Sequence, residues 1–230
     1  MSAATPLLVV GAGGFARETA EAVHAVNAFA PAPRWNLLGF LDDDPAMHGR
    51  LIGGVPVLGA IDLVGHHRDA QVVLATGRPT DYTSRRRLAE RLALADERYA
   101  TVIHPSATLG RSSDVGAGSV LLAHADLTAD VVVGRHVAMM PQVVLPHDVR
   151  VGDFATLASG VRVGGACDIG DGAYIGAGAI LRESLCIGAW AMVGMAAVVT
   201  RDVPPERLWF GSPARDAGRA PLPVSHGSTR

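Results

Sequence analysis

An apolar residue returns at every sixth position from Ile103 to Val199 without a miss, through Leu109, Val115 and Leu121 and on to Ile187 and Val193. Two places ahead of each, from Ala107 to Ala197, stands a small or β-branched residue, with Leu185 the one bulky exception. Helices repeat every 3.6 residues and strands every 2, so a strict period of six belongs to neither. It fits a parallel β-helix of hexapeptide repeats, in which three hexads complete a triangular coil and coils stack at the strand spacing of roughly 4.8 Å.

Eighteen residues then return the chain to the same corner, and that longer period is also visible. Val115, Val133, Val151, Ile169 and Ile187 are each followed by glycine: Gly116, Gly134, Gly152, Gly170 and Gly188. A corner that bends sharply while the coils above and below press close has no room for a Cβ. A β-sandwich would show alternation between turn signals spaced about eight to twelve residues apart, a different pattern.

Ahead of the repeats, short β runs alternate with helical ones. Residues 7–10, 37–41 and 71–75 read as buried parallel strands, and residues 14–26 and 80–94 as helices, a small α/β domain of Rossmann type. The expected division is a Rossmann-like domain over residues 1–100, the β-helix over 101–203, and a carboxyl-terminal tail over 204–230 that is loose beyond Arg215.

A chain of 230 residues that is 49% hydrophobic can build two modest cores. It has no long uncharged apolar stretch, and residues 1–6 lack the parts of a signal peptide. A cytoplasmic protein without membrane contact is therefore expected. The two cysteines, Cys167 and Cys186, are too few for a disulfide framework or a zinc site. With net charge −2 and no basic stripe, nucleic acid is not an expected partner. The run Arg85-Arg86-Arg87 reads as the solvated face of a helix.

The first strand leads into Gly11-Ala12-Gly13-Gly14-Phe15-Ala16, the G-x-G-x-x-A form of a phosphate-binding turn, whose amides and helix N-terminus face an anion. Alone, the motif also fits a tight turn without ligand. Its surroundings favour a ligand: Asp42, Asp43 and Asp44 end the second strand, and Thr76-Gly77 follow the third, all at the carboxyl edge of the sheet. The candidate binding residues are Gly13, Gly14, Phe15, Asp42, Asp43, Thr76 and Gly77. About a hundred residues cannot supply the second half that a nicotinamide dinucleotide needs, so a mononucleotide portion, such as that of a nucleotide sugar, is the expected occupant.

One corner column of the β-helix reads Arg111, Ala129, His147, Gly165, Glu183, Arg201. At roughly 4.8 Å per coil these residues form a strip along one edge, with Gly165 one step from His147 and Arg201 three. Such a strip suits an extended cofactor: the histidine as base, the glycine leaving backbone amides open to a thioester, the arginine meeting phosphate.

The glycine-rich turn, the run from Leu38 to Pro45, Val102-Ile103-His104-Pro105, the run from Pro146 to Phe154, Thr200-Arg201-Asp202-Val203-Pro204-Pro205 and Gly211-Ser212-Pro213-Ala214-Arg215 together resemble the bacterial nucleotide-sugar N-acetyltransferases. They are similar also to the related sialic-acid O-acetyltransferases. The resemblance covers the chain from about Leu7 to Arg215. It implies a homotrimer of left-handed β-helices, with acetyl-CoA between neighbouring subunits and a nucleotide-linked amino sugar held by the amino-terminal domain. By the same resemblance His147 is the catalytic base, Asp148 the acid that orients it, and Gly165, Gly194 and Arg201 contact the cofactor. Two positions depart from the pattern: Phe15 and Thr156 stand where some members have histidine.

The implied chemistry is direct transfer in a ternary complex, since neither cysteine lies on the His147 column. Three alternatives belong beside it. The same base could serve sugar O-acetylation, a nucleotide-binding scaffold could keep the fold without chemistry, and a metal enzyme of the γ-carbonic-anhydrase kind could draw on His124, His136 and His147.

Overall fold

The computed structural model describes residues 4–222. Strand β1 (Thr5–Val10) is almost wholly buried and passes through the glycine turn into helix α1 (Gly14–Phe29). It is the middle of a sheet in which it pairs in parallel with β2 (Trp35–Leu41) on one side and β5 (Gln71–Leu74) on the other. The segment between them, unread from the sequence, supplies β3 (Leu51–Ile52) and β4 (Val55–Gly59), a hairpin turned at Gly53-Gly54, giving the order β3-β4-β2-β1-β5. Helix α2 is Ser84–Leu92, shorter than expected. Residues 78–81 close a turn of their own, with Asp81 N donating to Arg78 O, and Ala93 turns left-handed at φ 44° and ends the helix.

From β6 (Val102–Ile103) to β22 (Val198–Val199) each hexad contributes one two-residue strand, and strands eighteen residues apart pair in parallel. The strands sort into three faces, the first starting at Val102, the second at Thr108 and the third at Asp114, as a left-handed β-helix requires. The sixfold apolar residues point inward: Leu121, Met139, Leu145, Leu157, Ile175 and Val199 are fully buried. Burying each side chain of this size contributes roughly 1.5–3 kcal/mol relative to exposure. The small residues two places earlier fill the corners. Ser119, also buried, satisfies its hydroxyl by donating to Gly134 O at 2.8 Å and accepting from Val137 N at 2.9 Å.

The glycine column behaves as its spacing predicts, through close approach. A Cβ on Gly116, Gly134, Gly152, Gly170 or Gly188 would lie within 2.6 Å of an atom of the next coil or, at Gly188, of Pro205. The tail differs from the expectation. β23 (Arg207–Gly211) adds in parallel to β21 (Met192–Val193), and β24 (Ala214–Arg219) returns antiparallel, so the chain is ordered past Arg215. The free backbone edge of β21 demands a partner, and Ala214 and Trp209 complete the core beneath it. The end of the expected tail, residues 223–230, lies outside the described residues.

The amino-terminal domain docks on the first face. Val102, Val120 and Ala138 share one core with Ala12, Phe15, Ala16 and Val23. Among the described residues, no helix is long and apolar enough to cross a membrane.

Candidate active site

At the carboxyl edges of β1, β2 and β5 lies a cleft of about 720 Å³, lined by the glycine turn, Asp42, Asp43, Asp44, Thr76, Gly77 and Arg78. Gly13 caps α1 without any side-chain hydrogen bond, and a Cβ placed on it would meet nothing within 4 Å. The first-turn amides and the positive end of the helix therefore face open space, which suits an anion. Asp42 braces the cleft: Oδ2 accepts from Ala12 N and Oδ1 from Asp44 N, both at 2.9 Å.

The other expected residues of this cleft are committed to the protein in different degrees. Asp43 accepts from Ile61 N at 3.1 Å and pairs with Arg91 at 2.5 Å, and the Arg91 guanidinium holds its carboxyl below the usual range. Phe15 is 8% exposed and packs into the core beneath the turn. Thr76 donates its hydroxyl to Ser84 Oγ at 3.0 Å. Gly77 has φ +133°, and a Cβ there would come within 2.7 Å of Arg85 Nη1.

His147 and Asp148 stand exposed on the corner between the second and third faces, with His147 Nδ1 2.8 Å from Asp148 Oδ2. The strip expected from the sequence is real: Asp148 N donates to Ala129 O, Ala166 N to His147 O, and Ser184 N to Gly165 O. A Cβ on Gly165 would lie 2.7 Å from both Cε1 and Nε2 of His147, so the imidazole leans over the glycine of the next coil. Arg201 is exposed on the same column. Gly194 occupies the corner between the first and second faces, where its amide donates to Trp209 O and Phe210 covers it. Thr156 lies on the first face, and its hydroxyl accepts from Arg85 at 2.7 Å.

Two clusters therefore form, and one chain does not join them. The nucleotide-type cleft belongs to a domain docked on the first face, and the His147 corner is the vertex of the prism opposite that face. The histidines His124, His136 and His147 fall on three different corners, so they make no common ligand set within a chain. Among the described residues no group of three His, Cys, Asp or Glu side chains is placed to hold a metal ion. Cys167, two residues from Gly165, points inward with its thiol on Arg182 O, and burial pushes that thiol up.

Sequence reasoning missed Arg85. Read as part of a solvated helix face, it is 1% exposed and points into the junction of the two domains. Only its neighbours Arg86 and Arg87 are solvated. The partners of Arg85 on the β-helix are mostly backbone carbonyls, which leave no trace in the residues of α2.

Residues 6–92 match the family model described as the PglD N-terminal domain. Among curated proteins no sequence matches the chain. Solved structures match nearly throughout. The acetyltransferase domain of PglB from Neisseria gonorrhoeae, in complex with acetyl coenzyme A, is 26% identical with a TM-score of 0.80, covering 93% of this chain and 100% of that one. A variant of GDP-perosamine N-acetyltransferase from Caulobacter crescentus, in complex with CoA and GDP-perosamine, is 26% identical with a TM-score of 0.81, covering 94% and 98%. WeeI from Acinetobacter baumannii, at 24% identity and a TM-score of 0.66, covers 92% and 100% and shares the fold.

A PglD-type domain on a hexapeptide-repeat prism defines the class: the protein is an acyltransferase. Over nearly its whole length the chain is similar to solved acetyltransferases, one of them a nucleotide-sugar N-acetyltransferase.

Proposed function

We propose that the protein transfers the acetyl group of acetyl-CoA to the amine of a nucleotide-linked amino sugar, in the cytoplasm, at a site built between subunits of a homotrimer. One observation carries this reading: a histidine–carboxylate pair lies exposed on the vertex opposite the face that bears the nucleotide cleft. A sugar held in one chain's cleft meets an imidazole only if a second copy supplies it. The CoA and GDP-perosamine bound together by the Caulobacter enzyme support the pairing of substrates.

On this reading each residue has a task. Gly13 and Gly14 present amides to the diphosphate, Asp42 takes the ribose or base, and Thr76 and Gly77 form the opposite wall. Phe15 and Asp43 shape this cleft from behind. With His147 Nδ1 held by Asp148, Nε2 is the nitrogen free to take the proton. The amine attacks the thioester carbonyl, a C–N bond forms, the C–S bond breaks, and the proton taken by His147 passes to the leaving thiolate. Asp148 stabilises the imidazolium formed on the way. Gly165 leaves room for the ring to lie over its coil, beside the thioester, and Arg201 meets phosphate along the strip. Gly194, on another corner, contacts the cofactor only from a neighbouring subunit. Holding both substrates together contributes as much as the base. With the Cys167 thiol turned inward and the exposed Cys186 off the His147 column, the transfer proposed is direct.

Screening amino-sugar nucleotides with acetyl-CoA, detecting free thiol, tests the reaction; sedimentation tests the trimer. Asp42→Ala raises the KM of the sugar nucleotide by about tenfold, the loss of one hydrogen bond to a polar ligand group, and leaves that of acetyl-CoA in place. An unmoved sugar KM removes Asp42 from the role.

A further inference from the structure

Arg85 leaves α2 and enters the junction between the domains, where among the described residues it has no carboxylate partner. Its Nε donates to His136 O at 2.9 Å, and Nη2 to Phe154 O at 2.8 Å, Ala155 O at 3.2 Å and Thr156 Oγ1 at 2.7 Å, all on the β-helix. Its Nη1 turns the other way and donates to Thr76 O at 2.8 Å, on the wall of the nucleotide cleft. The same planar group thus touches the cleft and the prism, with Gly77 keeping clear the space that Nη1 occupies.

His136 and Phe154 are left-handed corner residues of consecutive coils, at φ 55° and 62°. Among the described residues neither carbonyl accepts a bond in the coil-to-coil ladder, so both are free for a donor from outside. Tyr82 uses the same corner further along, its hydroxyl donating to Trp190 O at 2.9 Å. A lysine at position 85 has three donors on a single nitrogen and cannot span these acceptors, whereas a guanidinium presents five in a fixed fork. Burial lowers the guanidinium pKa only to about 10, so the charge persists at neutral pH and polarises every bond it makes.

We infer that Arg85 is a positioning residue, fixing where the Thr76-Gly77 wall, and hence a bound sugar, stands relative to the β-helix. The inference rests on the acetyltransferase reading above. A guanidinium that only stabilised the domain junction would affect melting. One that sets the placement of the acceptor also affects turnover, since an error of about 1 Å in the approach of reacting groups costs up to about 10²-fold.

Steady-state kinetics of the full-length protein, with each substrate varied, decide between these. Arg85→Gln lowers kcat by about 10²-fold, while the KM of acetyl-CoA stays within about twofold and the bare nucleoside diphosphate still binds. Arg85→Lys falls between it and the parent. Thr156→Val, which removes one acceptor and keeps the backbone ones, lowers kcat by about threefold and carries the test together with Arg85→Lys should Arg85→Gln not fold. An Arg85 variant that melts earlier yet keeps kcat within threefold overturns the inference, as does a Thr156→Val variant with parent kcat or an equal rise in both KM values. If the parent transfers nothing, the acetyltransferase reading falls and hydrogen exchange decides the rest. Faster exchange of Gly77 in Arg85→Gln, with the cores of both domains still protected, upholds Arg85 as the tie between them. Unchanged exchange overturns it.

Discussion

Two of the prism's corner histidines, His136 and His147, have opposite fates. His136, on the corner between the third and first faces, is 0% exposed, stacks on Phe154 with centroids 5.1 Å apart, and meets Tyr99 edge-on at 4.4 Å. Burial, with the nearby Arg135 and Arg85, lowers its pKa to about 4. Among the described residues neither of its ring nitrogens has a hydrogen-bond partner. His147, on the corner between the second and third faces, is 66% exposed with Asp148 against Nδ1. The two stand at neighbouring places in the hexad: His136 holds the left-handed corner position, at φ 55°, which on the other corner belongs to Asp148, at φ 63°, the residue after His147. What packs on each corner differs as well: a docked domain buries one imidazole, and the other lies on an uncovered edge.

The largest effect expected from breaking this contrast is at His147. His147→Ala lowers kcat by about 10²- to 10⁴-fold, the usual contribution of a positioned base, without shifting the melting temperature. A loss below threefold removes it from the chemistry. Gly165→Ala comes next, because its methyl would press the imidazole from 2.7 Å away and displace it. Turnover drops by up to about 10²-fold, with the stability of the β-helix nearly kept. Parent-like kinetics in Gly165→Ala would show that the ring does not need to lie over that coil.

His136 supplies the smallest effect, and one of stability rather than rate. Its folded pKa of about 4 lies below the ordinary 6.5, so between these values the unfolded chain binds a proton that the folded protein refuses. Stability therefore falls as pH drops through that window, by on the order of 3 kcal/mol at full extent. Denaturant melts from pH 7 to 4 should show this slope in the parent and in His147→Ala, and a flatter one in His136→Phe. Coincident curves for parent and His136→Phe would discard this origin of the acid sensitivity.

The β-helix was legible because its core is a period: inward residues repeat every sixth place, and the glycines of one corner every eighteenth. The cleft was legible because Gly13, Asp42 and Thr76 are each carried to the sheet's carboxyl edge by their own strand. Arg85 was not, since its partners are carbonyl oxygens of residues 51 to 70 positions away, and a carbonyl leaves no signature in residue type. The β23–β24 hairpin escaped for a related reason. Once the hexad stops, pairing depends on the exposed backbone edge of β21, and only the folded neighbour reveals that edge.

That hairpin also governs how the solenoid ends. A stack of parallel coils offers at its last rung a row of amides and carbonyls suited to any incoming extended chain, the geometry by which fibres elongate. Here, on the first face, the protein's own strand takes that row and then reverses direction, with Arg207 and Asp216 paired across the turn. On this face the parallel stack therefore ends in an antiparallel strand supplied by the chain itself.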